Sequence, residues 1–96
     1  MIVGFRGKHA EAVYEGLVPK GFPSDIAKVA RRKLRMLRML HAAVRLEDLR
    51  APPGNRLEAL SGDRAGQHSI RINDQWRICF VWKDGNAHEV EIVDYH

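Results

Sequence analysis

Residues 76–93 read WRICFVWKDGNAHEVEIV, and this stretch decides the fold. Apolar residues occupy the even positions from 76 to 82, and even positions are apolar again at Val90 and Ile92. This period of two is typical of β-strands that bury one face. The Asp84-Gly85 pair between the two segments indicates a tight turn. The stretch therefore predicts an antiparallel hairpin.

The register of this hairpin follows from its side chains. A two-residue loop would place Phe80 opposite a glutamate. A three-residue loop at 84–86 places it opposite Val90 instead, and the same loop matches Ile78 to its apolar counterpart Ile92. Because a one-residue slip moves every side chain of a strand to the other face, the apolar faces of the two strands must coincide. We therefore expect the three-residue loop.

The odd positions of these strands point away from the apolar face. Arg77 is one of them, and Tyr95 would join it if the last strand continued regularly. In the preceding segment, 67–72, the two isoleucines mark the apolar side, so that Ser69 and Arg71 also look outward. An open sheet face is thus expected to gather Arg71, Arg77 and Tyr95.

Two helical patterns stand before the strands. The first covers about 8–17, and the second begins at the potential cap Ser24 and runs to about Val44. Its apolar residues recur every three or four positions, which is the period of an amphipathic helix. Strands are predicted at 2–5, 55–60, 67–72, 76–82 and 87–93. This order, β-α-α-β-β-β-β, describes an α+β fold in which two helices cover one face of an antiparallel sheet.

The composition fits one small domain spanning 1–96. The chain has 96 residues and a mass of 11.0 kDa, and 45% of its residues are hydrophobic. Its single cysteine, Cys79, cannot close an intramolecular disulfide, and no apolar run approaches the ~18 residues of a membrane span. We therefore expect a cytoplasmic protein without a membrane partner.

The positive charge is concentrated on one helix. The chain carries 16 Lys plus Arg against 12 Asp plus Glu, and no acidic residue occurs between positions 26 and 46. The basic residues assigned to the polar side of the helix are Lys28, Arg31, Arg32, Lys33, Arg35, Arg38 and Arg45. Two readings stay open, a solvated helix face and a surface that binds a polyanion. The Arg-Met-Leu triplet at 35–37 is repeated at 38–40, and we interpret both methionines as core residues.

The sequence offers few catalytic signatures. No metal-site spacing, glycine-rich phosphate loop or nucleophile elbow is present, so no metal or cofactor is predicted. Four of the five histidines are scattered and expected at the surface, whereas His96 follows Asp94 and Tyr95 directly. Cleavage of RNA at its own 2′-OH needs a base, an acid and cations around the phosphate, roles that such residues and arginines can fill. The residues permit this chemistry among others.

Several segments together carry a family resemblance. They are residues 22–23, 30–34, 55–60, 62–78 and 90–96. In these segments the chain resembles the HigB toxins, also called plasmid-maintenance-system killer proteins, of the RelE/ParE superfamily. The resemblance implies a toxin that cleaves mRNA in the ribosomal A site without a metal. It also implies a HigA-type helix-turn-helix antitoxin as partner, with operator DNA bound only through the toxin-antitoxin complex.

The resemblance also suggests site residues. Its catalytic set is Arg77, Asp94, Tyr95 and His96. Within that set, Arg77 would clamp the phosphate, Tyr95 would stack on or orient the base, and a proton carrier would be either Asp94 or His96. The residues expected to bind RNA are Arg71, Arg64, Glu58, Lys28, Arg31, Arg32, Arg35 and Arg38.

The chain departs from the family pattern at two places. Some members carry a His and a Lys where this chain has Glu58 and Ser61, which implies a different acid/base pair or reduced activity. A carboxylate at Glu58 could serve as base, although its sequence position leaves its face open. The triplet at 38–40 resembles an insertion into the family helix. Two alternatives therefore remain: a non-enzymatic inhibitor like the gyrase-binding ParE branch, or a degenerate toxin kept for antitoxin binding and repression.

Overall fold

The computed structural model describes residues 1–16 and 24–94 of the chain. The two helices are α1 (Lys8–Tyr14) and α2 (Ser24–Ala42). Short 3-10 turns follow at Leu46–Arg50, Pro53–Asn55 and Gly62–Arg64. The strands are β1 (Glu58–Ala59), β2 (His68–Arg71), β3 (Trp76–Lys83) and β4 (Asn86–Asp94). No helix within the described ranges is both long and apolar enough to span a membrane.

The four strands form one antiparallel sheet in the order β1-β2-β3-β4, which confirms the α+β prediction. The predicted first strand is not a regular strand. Ile2 and Phe5 instead form isolated parallel bridges to Ala87 and Val90, so that the N-terminal segment runs along the outer edge of β4. Backbone hydrogen bonds such as that from Val3 N to Ala87 O, at 2.9 Å, hold it there. The segment thereby supplies hydrogen-bond partners to backbone groups on the outer edge of β4 that would otherwise be unpaired.

The β3–β4 loop differs from the prediction. Lys83 pairs directly with Asn86, which leaves a two-residue loop at Asp84 and Gly85. Both loop residues have positive φ angles, 53° and 77°, as the mirror-image turns that suit twisted hairpins require. The predicted three-residue loop is therefore wrong.

A β-bulge restores the apolar register that the short loop alone would break. The pairing shifts between Cys79 and Val81, and Glu89 on the opposite strand has a φ of 51°. The extra residue on β4 is absorbed there, and beyond the bulge Ile78 pairs with Ile92 as predicted. A bulge adds one residue to one strand, so both apolar faces coincide despite the two-residue loop.

The core lies between the helices and one face of the sheet. Fully buried side chains from α2, including Leu37 and Leu40, join Ile70, Ile78 and Phe80 from the sheet in one apolar cluster. In the doubled triplet of α2, the two methionines belong to this core, one buried and one half-buried, which confirms their interpretation. The helix thus fixes one face of the sheet and leaves the other face to polar side chains.

Both helices end earlier than predicted. Helix α1 ends at Tyr14, and residues 15 and 16 follow it in a turn. Residue 17, the last of the predicted range, lies outside the described residues. Helix α2 ends at Ala42, and the Asp48 carboxylate then accepts hydrogen bonds from the backbone N–H groups of Val44 (3.0 Å) and Arg45 (2.9 Å). These bonds start the next 3-10 turn and lead the chain away from the helix axis.

Candidate functional site

The sheet face away from the helices carries rows of polar side chains. Arg71 lies opposite Arg77, and in the next row Ser69 lies opposite Cys79. Directly opposed residues of antiparallel strands place their side chains on the same face. The predicted shared face of Arg71 and Arg77 is therefore confirmed, while Tyr95 lies outside the described residues. We call this surface the polar face.

A groove opens at one end of the polar face. Its volume is about 250 Å³, and it is lined by Arg56, Arg71, Asn73, Asp74 and Arg77. Arg71 forms an ion pair with Asp74 at the groove wall. Arg56 comes from the connection before β1 and adopts a left-handed φ of 45°. Three arginines from separate elements thus converge on one groove, an arrangement suited to an anion with several oxygens.

The guanidinium of Arg77 is fixed before any ligand arrives. It donates a 2.7 Å hydrogen bond to the carbonyl oxygen of Arg56, and its other terminal nitrogen lies 3.3 Å from a Glu58 carboxylate oxygen. The Arg77 side chain is only 15% exposed, whereas that of Glu58 is 53% exposed. Glu58 lies opposite Ser69 in the sheet, so the structure assigns it to the polar face and answers the question that its sequence position left open.

A second ion pair covers the middle of the polar face. The Arg64 guanidinium donates to the carboxylate of Glu91 at 3.0 Å and to the side-chain oxygen of Gln67 at 3.1 Å. Beneath this layer Ser69 and Cys79 are fully buried, and burial raises the pKa of the Cys79 thiol. Arg64 is thus engaged with Glu91 and Gln67 on the protein surface, with 30% of its side chain exposed.

Asp94 lies on the other side of the sheet. It pairs with Trp76, whose side chain packs against the core, so both residues share the helix-facing side. The side-chain amide of Gln75 donates to the Asp94 carboxylate at 3.2 Å. Asp94 and Arg77 thus lie at the same end of the sheet, with their side chains on opposite faces. Tyr95 and His96, which were predicted to complete the catalytic set, lie outside the described residues.

Lys33 is a buried cation that the sequence interpretation placed wrongly on the exposed side of α2. It is 8% exposed, and its ammonium nitrogen lies 3.8 Å from the centre of the Trp76 ring. The same nitrogen lies 3.2 Å from Nε2 of His9, whose ring meets Trp76 edge-on. The spacing from Val29 to Lys33 to Leu37 placed it on the apolar stripe, and this was the signal that could have identified it.

Burial and charge act on this cluster together. Burial lowers the pKa of Lys33, and the negative charge of Asp94 opposes that effect. The pKa of His9 is lowered by its own burial and by the Lys33 charge beside it. A lysine ammonium this close to a histidine favours the neutral form of the imidazole, whose ring nitrogen then accepts a hydrogen bond from the ammonium.

The remaining basic residues of α2 are exposed and form what we call the basic face. Its members are Lys28, Arg31, Arg32, Arg35 and Arg38. Arg45 is also exposed but lies beyond the end of the helix. A three-residue step along a helix turns the side chain by only about 60° from register, so both arginines of the doubled triplet stay on the exposed side. Among the described residues, no group of three His, Cys, Asp or Glu side chains is arranged to hold a metal ion.

The chain is similar to known toxins over nearly its whole length. A family model described as the RelE-like toxin of type II toxin-antitoxin system HigB matches residues 4–96. Toxin HigB-1 of Vibrio cholerae is 43% identical over 88 residues, which cover 91% of this chain and 90% of that protein. Endoribonuclease HigB of Proteus vulgaris is 31% identical over 97 residues and covers 100% of both chains.

Solved structures agree on the fold. A chain of the heterotetrameric YoeB-YefM toxin-antitoxin complex from Staphylococcus aureus matches with a TM-score of 0.60 at 17% identity, covering 100% of this chain and 98% of that one. A second YoeB-YefM complex from the same organism matches with a TM-score of 0.56. Because the family model matches residues 4–96 and two relatives exceed 30% identity, the chain belongs to the HigB-like family of RelE-like toxins from type II toxin-antitoxin systems.

Proposed function

We propose that this toxin is a metal-independent endoribonuclease that cleaves mRNA in the ribosomal A site and is neutralised by a HigA-type antitoxin. The observation that carries the proposal is the groove in which Arg77 is held beside the Glu58 carboxylate. The name of the Proteus vulgaris relative, Endoribonuclease HigB, supports the reaction class. The family description supports an antitoxin partner.

The groove would bind the scissile phosphate. The 2′-oxygen attacks phosphorus, the bond to the 5′-oxygen breaks, and the products are a 2′,3′-cyclic phosphate and a 5′-hydroxyl. Negative charge grows on the phosphoryl oxygens in the transition state, and preorganised cations stabilise it. Arg77 is the principal clamp in this proposal, because its 2.7 Å bond to Arg56 fixes its direction. Arg71 and Arg56 supply the flanking positive charge.

Glu58 is the base that the geometry favours. A general base must reach the proton that it removes, and here that proton belongs to a hydroxyl next to the bound phosphate. Glu58 shares the polar face with Arg77 and is more than half exposed, whereas Asp94 leaves the sheet from the opposite face. We therefore assign proton removal to Glu58 in place of Asp94. We assign protonation of the departing 5′-oxygen to His96, which follows Tyr95 in the sequence.

The basic face of α2 would dock the toxin on ribosomal RNA. Its five exposed cations include four arginines, and the neighbouring sequence carries no acid from 26 to 46. Phosphate contacts by such residues supply affinity and orientation without reading sequence. We assign docking to this face and phosphate chemistry to the groove, so that the two basic regions have separate tasks.

The test is a translation reaction with purified toxin and a reporter mRNA, in which new 5′ ends are mapped and end groups are identified. We expect cuts only on translating ribosomes, with 2′,3′-cyclic phosphate and 5′-hydroxyl ends. Intact mRNA at a catalytic dose of toxin would refute the nuclease proposal. Inhibition of gyrase without mRNA cuts would favour the ParE-like alternative. Antitoxin capture without growth arrest would favour the degenerate toxin.

A further inference from the structure

One buried amide holds the segment that precedes Arg56. The Asn55 side chain is 3% exposed, and its amide nitrogen donates to the carbonyl oxygens of Leu49 and Ala51, both at 3.1 Å. The same nitrogen lies 3.1 Å from the sulfur of Met39 on α2. A buried polar group with several partners is costly to remove, because the partners lose a hydrogen bond that water does not replace. The amide therefore ties α2 and the first 3-10 turn to the residue directly before Arg56.

The backbone around this amide is also constrained. The N–H groups of Asn55 and Arg56 donate to the carbonyl oxygens of Pro52 (3.0 Å) and Pro53 (3.1 Å). Arg56 has φ 45° and ψ 57°, in the left-handed region that residues with a side chain seldom adopt. Such a conformation persists only where the surrounding contacts determine it. Asn55 supplies contacts of this kind from both its side chain and its backbone.

The left-handed turn sets the direction of the Arg56 carbonyl group. That oxygen accepts the 2.7 Å hydrogen bond from one terminal nitrogen of Arg77, whose other terminal nitrogen lies 3.3 Å from Glu58. Because the peptide unit is planar, a carbonyl oxygen moves only as the φ and ψ angles around it change. A different conformation at residue 56 would therefore take the acceptor away from Arg77 without disturbing the pairing of β3 with its neighbouring strands.

We propose that Asn55 is a positioning residue for the phosphate clamp: its buried amide holds the turn at Arg56, and the Arg56 carbonyl oxygen in turn holds the guanidinium of Arg77. The role rests on the proposed endonuclease function, in which Arg77 contacts the scissile phosphate. Asn55 acts through this turn and not by touching RNA, because it is almost fully buried. Met39 belongs to the second Arg-Met-Leu triplet of α2, so the doubled triplet supplies one of the contacts that hold the amide.

This role predicts a specific kinetic signature. Misplacement of a catalytic group by about 1 Å can cost up to about 100-fold in rate. The exposed cations of the basic face, which would dock the toxin on RNA, are not part of the turn. Loss of the turn should therefore lower kcat and leave KM nearly unchanged, whereas a loss of docking would raise KM.

The first experiment compares two variants at residue 56 that lose the same guanidinium. Glycine adopts a positive φ readily, whereas a β-branched valine resists it. On ribosome-bound mRNA, and with folding checked by circular dichroism, we expect kcat of Arg56→Val to be at least about tenfold below that of Arg56→Gly. The two KM values should agree within about twofold. Equal kcat values would overturn the proposal, because the left-handed turn would then have no effect on the reaction.

A double-mutant cycle tests whether Asn55 acts through Arg77. We expect Asn55→Ala to lower kcat at least about tenfold in the wild-type background, and less than about twofold where Arg77 is already alanine. Equal factors in the two backgrounds would overturn the proposal. The control is Val13→Ala, which shortens a buried core side chain of α1 and should leave kcat unchanged at temperatures where the variant is folded. An equal loss of kcat in Val13→Ala would show that lower stability alone slows the reaction.

A second measurement does not depend on activity. A guanidinium held by fixed acceptors rotates slowly, so that its terminal N–H groups give separate NMR signals, whereas a released guanidinium gives averaged ones. With isotope-labelled arginine, and with Arg77→Lys to identify the signals, we expect separate Arg77 signals in wild type and averaged signals in Asn55→Ala and Arg56→Val. Separate signals in both variants would overturn the proposal. If the signals average as expected but wild type cuts no mRNA, the endonuclease proposal fails and so does the catalytic purpose of the turn, while the coupling of Asn55 to Arg77 stands.

Discussion

A Glu58 carboxylate oxygen lies 3.3 Å from a terminal nitrogen of Arg77, and this contact joins the edge strand β1 to the central strand β3. The two residues come from strands that are not hydrogen-bonded to each other, with β2 between them. The carboxylate thus reaches diagonally across the polar face to the arginine. An acceptor and a cation held side by side at a groove form a compact arrangement for removing a hydroxyl proton next to a phosphate.

Replacement of Arg77 by alanine should slow mRNA cleavage by about 10- to 100-fold, since one charged hydrogen bond contributes about 1.5–3 kcal/mol. Primer extension on ribosome-bound mRNA measures the rate. Arg6→Ala, an exposed arginine outside the groove, is the control and should cleave at the wild-type rate. Equal rates for Arg77→Ala and wild type would remove Arg77 from the site.

Replacement of Glu58 by glutamine should lower kcat by at least about 100-fold, because an amide keeps the hydrogen bond to Arg77 but cannot accept the hydroxyl proton. Single-turnover cleavage measures this step without product release. Glu47→Gln, at an exposed glutamate outside the groove, controls for the loss of one negative charge. If Glu58→Gln retains most of the wild-type rate, the carboxylate only orients Arg77 and the base lies elsewhere.

Charge reversal on the basic face should weaken ribosome binding without changing the chemical step. The double variant Arg31→Glu with Arg35→Glu removes two exposed cations one turn apart. Each lost phosphate contact should lower the slope of log affinity against log salt by about 1. Sedimentation with ribosomes at several KCl concentrations measures that slope. Lys83→Glu, at the far hairpin, should keep the wild-type slope, and an unchanged slope in the double variant would favour a solvated helix face.

Replacement of Asn55 by alanine should destabilise the connection that supplies Arg56 to the groove. Asn55 is 3% exposed, and its amide donates to the carbonyl oxygens of Leu49 and Ala51, both at 3.1 Å. Leaving these carbonyls unpaired should reduce the free energy of unfolding by about 1–3 kcal/mol. Urea unfolding gives the value, and cleavage should also slow. The control Asn86→Ala replaces a half-buried residue at the start of β4, whose amide donates an exposed hydrogen bond to the Asp84 carbonyl oxygen at 3.3 Å, and it should cost less than about 0.5 kcal/mol. Equal losses would assign no special role to Asn55.

Replacement of Asp48 by alanine should lower thermal stability near neutral pH and have less effect in acid. Hydrogen bonds from the backbone of Arg45 and Val44 hold the pKa of Asp48 below its ordinary value. A carboxyl with a lowered folded-state pKa stabilises the protein above its unfolded-state pKa, and that contribution disappears as the pH falls through the folded-state value. The Tm difference between wild type and Asp48→Ala should therefore be constant from pH 7 to about pH 5 and shrink below pH 4. A pH-independent difference would contradict the ionic cap.

Part of this fold was predictable because local periodicity records which side of an element is buried. Alternation along β3 and β4 predicted the two-faced hairpin and the pairing of Ile78 with Ile92. It did not predict how the chain achieves that pairing, because alternation constrains the faces and not the position of an extra residue. The positive φ angles of Asp84 and Glu89 show that a tight loop and a bulge share that task.

The candidate site was predictable only in part. The shared face of Arg71 and Arg77 followed from strand parity, and the basic face followed from the period of α2. Arg56 was not predicted, because its place in the groove depends on a left-handed turn in an irregular connection. Lys33 was placed on the wrong side because lysines are seldom buried, and its charge outweighed its spacing in the interpretation.

The sequence by itself determined the α+β class, the family, the apolar face of each long element and the separation of cations into a helix surface and a sheet surface. Each of these properties depends on residues close together in the chain or on their periodic spacing. Only the tertiary structure decided that Glu58 meets Arg77, that Asp94 leaves the opposite face and that Lys33 is buried against His9 and Trp76. The contacts of Arg77 with Glu58 and of Lys33 with His9 and Trp76 join residues 19 to 43 positions apart. Their energies depend on distance, direction and burial that exist only once the sheet and helices have packed.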